Sequence, residues 1–468
     1  MKYTLINMKG VLRLKDNPLI YEALNMKGSL VFCYVIDKHL GKSWKLNFPR
    51  ISNPRYQFLI ESLTDLRKQL RDLGSDLVIR VGNEIQEIVK IYKELNQMGK
   101  VTYLYHYVPV FEEESNKQRI TEQIGTENVI KVVKGKYVIS PSKLFQYVPN
   151  IPYGEFRQIA LSNIGEHLGD SQCCLVPPDD YSMGNLEKPP LECGYIPSGE
   201  DLNIKFPERF FELKGGETNA WKQLDDFIDL RYEQYSLDRN SLNRRRTSGL
   251  SAYLAQGNLS YRQVLIEVIN RSLDNSILSE NCKGIASNNY KRNNFDLFFS
   301  QLLWNTYLAS HFIKYKRSMF TYKAFKSQAT KNSMNAKNTG FGAVTVSKSI
   351  HDLIRAITNE LRFTGFISNK ARLILACYCI NKLEVHPILL GEFMETFLVD
   401  YDPINHWGNI AYCSGITSNS RYYRRSNITT VGNRVDPSKE YRNIWLNYKP
   451  KSKSSPHIRS EVVDSMLG

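Results

Sequence analysis

The second half of this chain contains the stretch Thr364-Gly365-Phe366-Ile367-Ser368-Asn369-Lys370-Ala371-Arg372, which lies within a helical pattern. A second polar group, Asp400-Tyr401-Asp402, follows further along. An arginine and an aspartate in a helical domain often form a structural ion pair. The same side chains also suit a polar heteroaromatic ring, which needs hydrogen-bond donors and acceptors at fixed places. Taken alone, Arg372 and Asp400 favour the structural ion pair.

Residues 244–251 carry the residue types that bind phosphate. They read Arg-Arg-Arg-Thr-Ser-Gly-Leu-Ser and precede an apolar stretch. Backbone N–H groups and hydroxyls at the start of a helix can hold a phosphate. The alternative is a helix N-cap beside a solvated basic turn, which is the more frequent arrangement. The local pattern leaves both interpretations open.

Gln301-Leu302-Leu303-Trp304 places an indole in the same half of the chain. A tryptophan in such a pattern is usually part of the core, although an exposed ring can stack on a nucleic-acid base. No HExxH, GxSxG or paired-carboxylate motif is present, and three histidines are typical of ordinary core or surface residues: His311, His351 and His386. The sequence therefore predicts no metal site.

The first 130 residues alternate strand and helix patterns. Asp16-Asn17-Pro18 is typical of a helix start, and Gly74 can close a helix in the left-handed conformation. Apolar runs predict strands at 3–8, 30–36, 77–81 and 101–108, and amphipathic stripes predict helices at 56–73 and 85–95. This order predicts a Rossmann-like α/β domain with a parallel sheet, although it lacks GxGxxG and Walker motifs.

The domain organisation follows from these patterns. Residues 1–130 are predicted to form the α/β domain, and residues 206–448 an all-α domain. Residues 131–205 lose periodicity and contain eight prolines, which predicts a connector that wraps a surface between the two domains. Residues 449–468 form a basic tail.

The charge balance indicates the class of partner. The chain has 62 lysines and arginines against 47 acidic residues, a net charge of +15. Such a charge favours nucleic acid through phosphate contacts, although a generic basic surface gives the same total.

The chain lacks a membrane-spanning apolar run and a signal-peptide pattern, so we expect an intracellular protein, cytoplasmic or nuclear. We also expect a monomer. The eight cysteines include no CxxC pair and are expected to be reduced thiols.

In their order along the chain, these segments resemble the photolyase/cryptochrome family, and its DASH branch most. Residues 364–372 are strongly DASH-like, and residues 12–19 are similar to the family's opening motif after the first strand. Further matching segments are 215–217, 247–254, 257–262, 400–402, 407–409 and 436–445. Each motif alone is weak, whereas their order and spacing together are specific.

The resemblance implies an all-helical domain that binds FAD in a bent shape. It implies that Asn369 and Arg372 face the isoalloxazine ring, that Asp400 pairs with Arg372, and that Asp402 lies on the ring or ribose side. Tyr235 and Phe298 match flavin contacts. The FAD phosphates are assigned to Thr247, Ser248, Gly249, Leu250 and Ser251.

The resemblance also implies an activity. Photoexcited reduced FAD gives an electron to a cyclobutane pyrimidine dimer in DNA, while the protein supplies geometry and electrostatics. The analogy with DASH proteins favours single-stranded DNA. Trp304 and Tyr412 match positions that stack on the flipped dimer. A poorly stacked dimer costs only a few kcal/mol to extrude, and aromatic stacking returns about 1–3 kcal/mol per base.

Several family positions differ in this chain. Gln301 stands where a glutamate touches the dimer, and an amide cannot supply a proton. Asn305 replaces the arginine that follows the stacking tryptophan. His406 replaces the asparagine opposite flavin N5, where we expect a histidine to titrate near neutral pH.

The tryptophan chain that photoreduces FAD in most family members is also absent. Its positions align with Ile410, Pro387 and Met334. Two sources of electrons for FAD stay open. One is a cellular reductant. The other is a set of aromatic residues, Trp407, Tyr378 and Tyr401, which spacing alone does not support.

Three functions therefore stay open: a photolyase, a cryptochrome-like sensor without repair, and a flavin-free nucleic-acid-binding protein. A folate antenna is a further hypothesis, because residues 112–114, all glutamates, follow a strand near the place where a folate sits. A solvated acidic helix start is the more common role of such a run. Asn7, Gly10 and Val11 replace the family's usual aromatic and acidic residues, which disfavours an antenna.

Overall fold

The computed structural model describes residues 1–41, 48–132, 151–162, 181–204, 213–243, 246–272, 289–320, 344, 351–415 and 427–448. Several parts of the sequence predictions lie outside the described residues: Arg244, Arg245, Met334, the cysteines Cys173, Cys174 and Cys282, residues 133–150, 163–180 and 205 of the connector, and the basic tail at 449–468.

The N-terminal part contains a parallel sheet, which has five strands within the described residues. The strands are β1 (Lys2–Asn7), β2 (Ser29–Asp37), β3 (Leu77–Gly82), β4 (Lys100–His106) and β5 (Val129–Val132). Their order in the sheet is β3-β2-β1-β4-β5, and Leu5 of β1 lies between Val31 and Tyr103. The predicted α/β class is confirmed.

Helices cover both faces of this sheet. They are α1 (Pro18–Leu24), α2 (Asn53–Asp72), α3 (Glu84–Asn96) and α4 (Phe111–Ile124). Helices α1 and α2 pack on one face, and α3 and α4 on the other. The predicted helix start is confirmed, because the Asn17 side chain accepts hydrogen bonds from the backbone of Leu19 and Ile20.

The predicted connector contains structure that its sequence pattern does not show. Helix α5 (Tyr153–Ser162) buries Phe156 and Ala160 in the core of the helical part. Residues 181–204 run along the α/β domain instead, where the backbone N–H of Ile79 donates to the Cys193 carbonyl at 2.8 Å. The domain boundaries at 130 and 205 remain predictions.

The second half of the described chain is helical. Its helices are α6 (Glu217–Leu230), α7 (Tyr235–Asp238), α8 (Ser251–Gln256), α9 (Tyr261–Ser272), α10 (Asn289–Tyr315), α11 (Asp352–Thr364), α12 (Asn369–Asn381), α13 (Pro387–Phe397), α14 (Pro403–Cys413), α15 (Ile428–Val435) and α16 (Glu440–Asn447). One core lies around α6 to α10, and a second lies around α11 to α16. Helices α10 and α14 pack together between them. None of the helices described is long and apolar enough to cross a membrane.

The two halves are joined through the opening motif at 12–19. The buried Arg13 donates to the Gly257 carbonyl at 3.1 Å, and the Asn258 side chain donates to the Leu12 carbonyl at 2.9 Å. Gly257 has a φ of +75° and no room for a Cβ against the backbone of Gly10. The motifs 12–19 and 257–262 therefore bind each other across the domain interface.

Candidate functional site

The stretch 364–372 folds into a tight connection between α11 and α12. Gly365 ends α11 with a φ of +70°, and a Cβ there would lie 2.8 Å from the Phe397 carbonyl oxygen. The Ser368 hydroxyl then caps α12 by accepting from the Ala371 N–H at 3.2 Å. These two residues fix where the first turn of α12 presents Asn369 and Arg372.

Arg372 and Asp400 form the predicted ion pair. The guanidinium also donates to the Ile367 carbonyl through Nε at 3.2 Å and Nη2 at 3.1 Å, so that it is held against the preceding turn. Asp400 is buried, and its Oδ2 also accepts from the Ser251 hydroxyl at 2.7 Å. Through Asp400, the pair thus ties the start of α12 to the first residue of α8.

Asp400 has one oxygen whose bonding is incomplete. Its Oδ1 is buried and has no hydrogen-bond partner among the described residues. Leaving a buried acceptor unsatisfied costs about 1–3 kcal/mol, and more for a charged group. The carboxylate is therefore suited to a ligand that brings a hydrogen-bond donor.

The loop at 247–251 is held by side chains from outside it. Arg231 donates to the Thr247 carbonyl at 3.0 Å, and Gln223 donates to the Ser248 carbonyl at 2.8 Å. Gly249 has a φ of +70°, which favours glycine. Leu250 is buried, whereas Ser251 is exposed and starts α8. The bonds from Arg231 and Gln223 fix the conformation of the loop. That this loop holds the FAD phosphates stays a prediction.

Tyr235 and Phe298 occupy a buried aromatic cluster. Their ring centroids are 5.3 Å apart, and Phe227 packs on both, at 5.7 Å and 5.2 Å. Burial raises the pKa of the Tyr235 phenol. These contacts support the core that carries the loop at 247–251, and direct flavin contact by either residue stays a prediction.

Asp402 is first of all a helix cap. Its Oδ1 accepts from the Asn405 N–H at 2.8 Å at the start of α14, and the Asn305 amide donates to the same oxygen at 3.4 Å. The Asn405 side chain in turn donates to the Tyr261 hydroxyl at 3.3 Å. The sequence prediction missed Tyr261 and Asn405, although an aspartate followed by Pro403 is a recognisable N-cap pattern.

His406 is buried and bonded to protein. Its Nε2 lies 2.9 Å from the Gly391 carbonyl oxygen. Burial, together with the positive charges of Arg372 and Arg55, lowers its pKa to about 3. The prediction that His406 titrates near neutral pH is therefore wrong. The ring is neutral at that pH, and an Nε2 that donates to a carbonyl leaves Nδ1 as an acceptor.

Trp304 and Tyr412 form an aromatic corner. Their rings are perpendicular, at 85°, with centroids 5.7 Å apart, and both side chains are half-buried. Asn409 accepts from the Trp304 indole N–H at 3.3 Å, and Tyr153 of α5 packs its edge on Trp304 at 4.5 Å. Gln301 is exposed one turn before Trp304 on α10. The corner joins α10 to α14, which also carries His406 and is capped by Asp402.

The glutamates at 112–114 are paired within the protein. Glu112 binds the Arg50 guanidinium through both oxygens at 2.8 Å, and Glu114 accepts from the Tyr107 hydroxyl at 2.5 Å. Glu113 lies 2.7 Å from Lys9. These contacts account for the acidic start of α4, and the folate antenna stays a prediction.

Comparisons with known proteins agree with this arrangement. The family model for DNA photolyase matches residues 5–166, and the model for the FAD binding domain of DNA photolyase matches residues 298–458. A cryptochrome DASH of Gloeobacter violaceus is 26% identical to this chain, and the match covers 95% of this chain and 85% of that protein. One from Xenopus laevis is also 26% identical, over 81% of its length and 94% of this chain.

Solved structures show the same fold. A cryptochrome from Synechocystis has a TM-score of 0.79 at 24% identity, covering 95% of this chain and 89% of that one. An archaeal photolyase from Sulfolobus tokodaii, solved with two FAD molecules, has a TM-score of 0.70 at 19% identity, covering 100% and 99%. The chain belongs to the photolyase/cryptochrome family and is DASH-like.

Proposed function

We propose that the protein is a light-dependent DNA-repair enzyme, a C–C lyase of the deoxyribodipyrimidine photo-lyase type, that splits cyclobutane pyrimidine dimers and prefers single-stranded DNA. The perpendicular, half-buried pair of Trp304 and Tyr412 carries this proposal. Two aromatic faces at a right angle give an extruded, poorly stacked lesion two surfaces against which to pack. The net charge of +15 supports binding to the phosphate backbone.

The residues around Asp400 fit FAD. Asp400 offers a buried carboxylate oxygen without a partner in the described part of the chain, and Arg372 is held beside it by the Ile367 carbonyl. Reduced FAD, when bound, supplies the light-excited electron that splits the dimer. Asn369, exposed on the first turn of α12, adds an amide donor and acceptor on the same side of the helix start.

The remaining residues position the lesion. Trp304 and Tyr412 bind the two pyrimidines by stacking, and Asn409 fixes the indole of Trp304. The exposed amide of Gln301 donates and accepts hydrogen bonds with the pyrimidine edge but moves no proton, because it does not ionise. The neutral His406 likewise holds its proton on Nε2 against Gly391.

A repair assay tests this function. Purified protein with chemically reduced FAD is expected to clear dimers from an irradiated oligonucleotide under blue light, faster on single than on double strands. The Trp304→Ala variant is expected to bind the damaged strand more weakly by about 1–3 kcal/mol. Trp445→Phe, a change in the core around α11 to α16, serves as the matched control. No clearance on either kind of strand contradicts the proposal.

A cryptochrome-like sensor is the second candidate. It is favoured by two neutral amides: Gln301 replaces the glutamate that touches the dimer, and Asn305 replaces the arginine that follows the stacking tryptophan. A sensor without repair is expected to bind a partner differently in the dark and under blue light while leaving dimers intact. Equal binding in both conditions counts against it.

A further inference from the structure

Tyr153 of helix α5 packs on Trp304, the tryptophan proposed to stack on the lesion. The two rings are nearly perpendicular, at 80°, and their centroids are 4.5 Å apart. Trp304 also contacts the rings of Tyr307 at 5.4 Å and Tyr412 at 5.7 Å, so Tyr153 makes the closest of these three contacts. Both Tyr153 and Trp304 are half-buried. A residue of the connector therefore borders the aromatic corner directly.

The Tyr153 hydroxyl reaches the turn of α10 that carries Trp304. It donates to the Ser300 carbonyl, which in an α-helix also accepts from the N–H of the residue four places on, here Trp304. Burial raises the pKa of the Tyr153 phenol, so the hydroxyl keeps its proton and donates. The hydroxyl and the ring of Tyr153 therefore bind the backbone and the side chain of the same turn.

Two further contacts hold this segment of the connector against α10. The Tyr307 hydroxyl donates to the Ile151 carbonyl at 3.2 Å, and Arg157 lies 3.7 Å from Asp296. Each residue of α10 that takes part is three or four positions from the next, so all of them lie on one face of the helix. The position of the Tyr153 ring is therefore fixed by contacts on either side of it along the chain.

The orientation of Trp304 depends on its neighbours. A side chain on a helix has several staggered rotamers, and stacking on a base requires that a flat face of the indole be open to it. The indole N–H donates to Asn409 at 3.3 Å, which fixes one point of the ring. A perpendicular ring in close contact limits how the plane of the indole turns about that point, because close-packed side chains leave little free volume.

We propose that Tyr153 is a positioning residue of the lesion site: it holds the Trp304 indole in the orientation that stacks on a flipped pyrimidine. The inference rests on the proposed function, because it requires that Trp304 contact the lesion. Tyr153 acts through Trp304 and not by touching the dimer. The connector, which the sequence pattern places outside both domains, thereby supplies part of the lesion site.

Two variants and a matched control separate the ring from the hydroxyl. Tyr153→Leu removes both, whereas Tyr153→Phe retains the ring. Tyr448→Leu is the control, because Tyr448 is also a half-buried tyrosine that packs on a tryptophan, Trp445, with centroids 5.5 Å apart. Tyr153→Met, whose flexible side chain fills irregular gaps, takes the place of Tyr153→Leu if the latter does not fold.

The first measurement is the affinity, in the dark, for a single-stranded oligonucleotide that contains one cyclobutane thymine dimer, and for the same strand without damage. An aromatic pair of this geometry contributes enough to change an equilibrium constant about fivefold. Tyr153→Leu is therefore expected to bind the damaged strand about fivefold more weakly, and the undamaged strand as the wild type does. Tyr153→Phe is expected to stay within about twofold of the wild type, and Tyr448→Leu to match it.

A double-mutant cycle with Trp304→Ala tests whether Tyr153 acts through Trp304. Two residues that contact the lesion independently give losses of affinity that add, whereas the losses of coupled residues do not. In the Trp304→Ala background, Tyr153→Leu is expected to cause no further loss of affinity for the damaged strand. Additive losses show that Tyr153 touches the lesion itself, which overturns the positioning role.

Fluorine NMR of protein that carries 5-fluorotryptophan reports the surroundings of the indole without any DNA. The chain has five tryptophans, and the signal of Trp304 is the one that Trp304→Phe removes. Tyr153→Leu is expected to shift this signal and to leave that of Trp445 in place, whereas Tyr448→Leu is expected to do the reverse. The unshifted signals also show that each variant is folded.

Wild-type affinity for the damaged strand in Tyr153→Leu overturns the inference, with or without a shift of the Trp304 signal. If the wild type prefers the damaged strand and splits the dimer in that case, the repair function stands and only the positioning role fails. A wild-type protein that binds damaged and undamaged strands equally contradicts the proposed function, together with the inference that rests on it.

Discussion

Two carboxylates in this molecule, one largely buried and one buried, differ in how completely they are bonded. Glu84, at the start of α3, is paired with Lys9 at 2.8 Å and with Lys117, and the Asn7 amide donates to it at 3.5 Å. Within the described part of the chain, Asp400 bonds Arg372 and the Ser251 hydroxyl through one oxygen only. The protein supplies partners to both oxygens of Glu84, whereas one oxygen of Asp400 remains able to accept a hydrogen bond from a ligand.

Glu84 lies in a region where α/β folds commonly bind ligands. In open α/β sheets, ligands bind beyond the carboxyl ends of the strands, where the strand order reverses. Here that place is between β1 and β4, and it is occupied by Glu84, Lys117 and Asn7. Burial opposes ionisation of Glu84, but Lys117 and Lys9 outweigh it and hold its pKa well below its usual range.

The largest expected effect concerns Glu84, whose two oxygens both have partners in the protein. Glu84→Gln leaves Lys9 and the buried Lys117 without their shared anion, so we expect the free energy of unfolding to fall by about 3–5 kcal/mol. Urea unfolding at neutral pH measures the change. Glu94→Gln, which breaks a more exposed pair with Arg80, is the control and is expected to cost less than about 1 kcal/mol. Equal losses in both variants contradict the distinction.

The second prediction concerns the incompletely bonded carboxylate. FAD at about 100 times its Kd is expected to raise the free energy of unfolding of the wild type by about 2.7 kcal/mol. Asp400→Asn is expected to lose most of this gain, because it weakens the acceptor. Asp436→Asn is the control, since Asp436 also pairs with an arginine, Arg442, at 2.8 Å, and both its oxygens accept hydrogen bonds. A full FAD gain in Asp400→Asn shows that the ligand binds elsewhere.

At neutral pH the smallest effect is expected at His406, because its ring is uncharged there in both the folded and the unfolded chain. Its pKa is about 3 in the folded protein against 6.5 for a free histidine, so the unfolded chain binds more protons between these values. The free energy of unfolding therefore falls as the pH drops from 6.5 towards 3, and His406→Asn is expected to reduce that fall. Unfolding curves at several pH values measure it. An equal fall in the variant shows that His406 is protonated in the native state.

Much of the fold is predictable because its signals are local. The apolar run at 30–36 predicts a buried strand, because a strand covered on both faces is apolar throughout. In the structure, helices do cover β2 on both faces. Asn17 and Pro18 predict a helix start, and this signal is local too, because capping depends on adjacent residues. The pairing of Arg372 with Asp400 was already favoured by residue type, and the order of the motifs supported it.

The parts that the sequence did not reveal depend on distant contacts. Helix α5 was missed among the prolines of the connector, although its Tyr153 supports Trp304. The lowered pKa of His406 follows from burial and from charges on other elements, which residue type alone does not indicate. The contact of Trp407 with Tyr401 likewise depends on how α13 and α14 pack.

The most direct test of the account is the absorption spectrum of the purified protein in the dark, recorded for the wild type and for Asp400→Asn. We expect a flavin spectrum in the wild type that is strongly diminished in Asp400→Asn and retained in Asp436→Asn. A wild-type protein that is colourless, and that stays so after incubation with FAD, contradicts it.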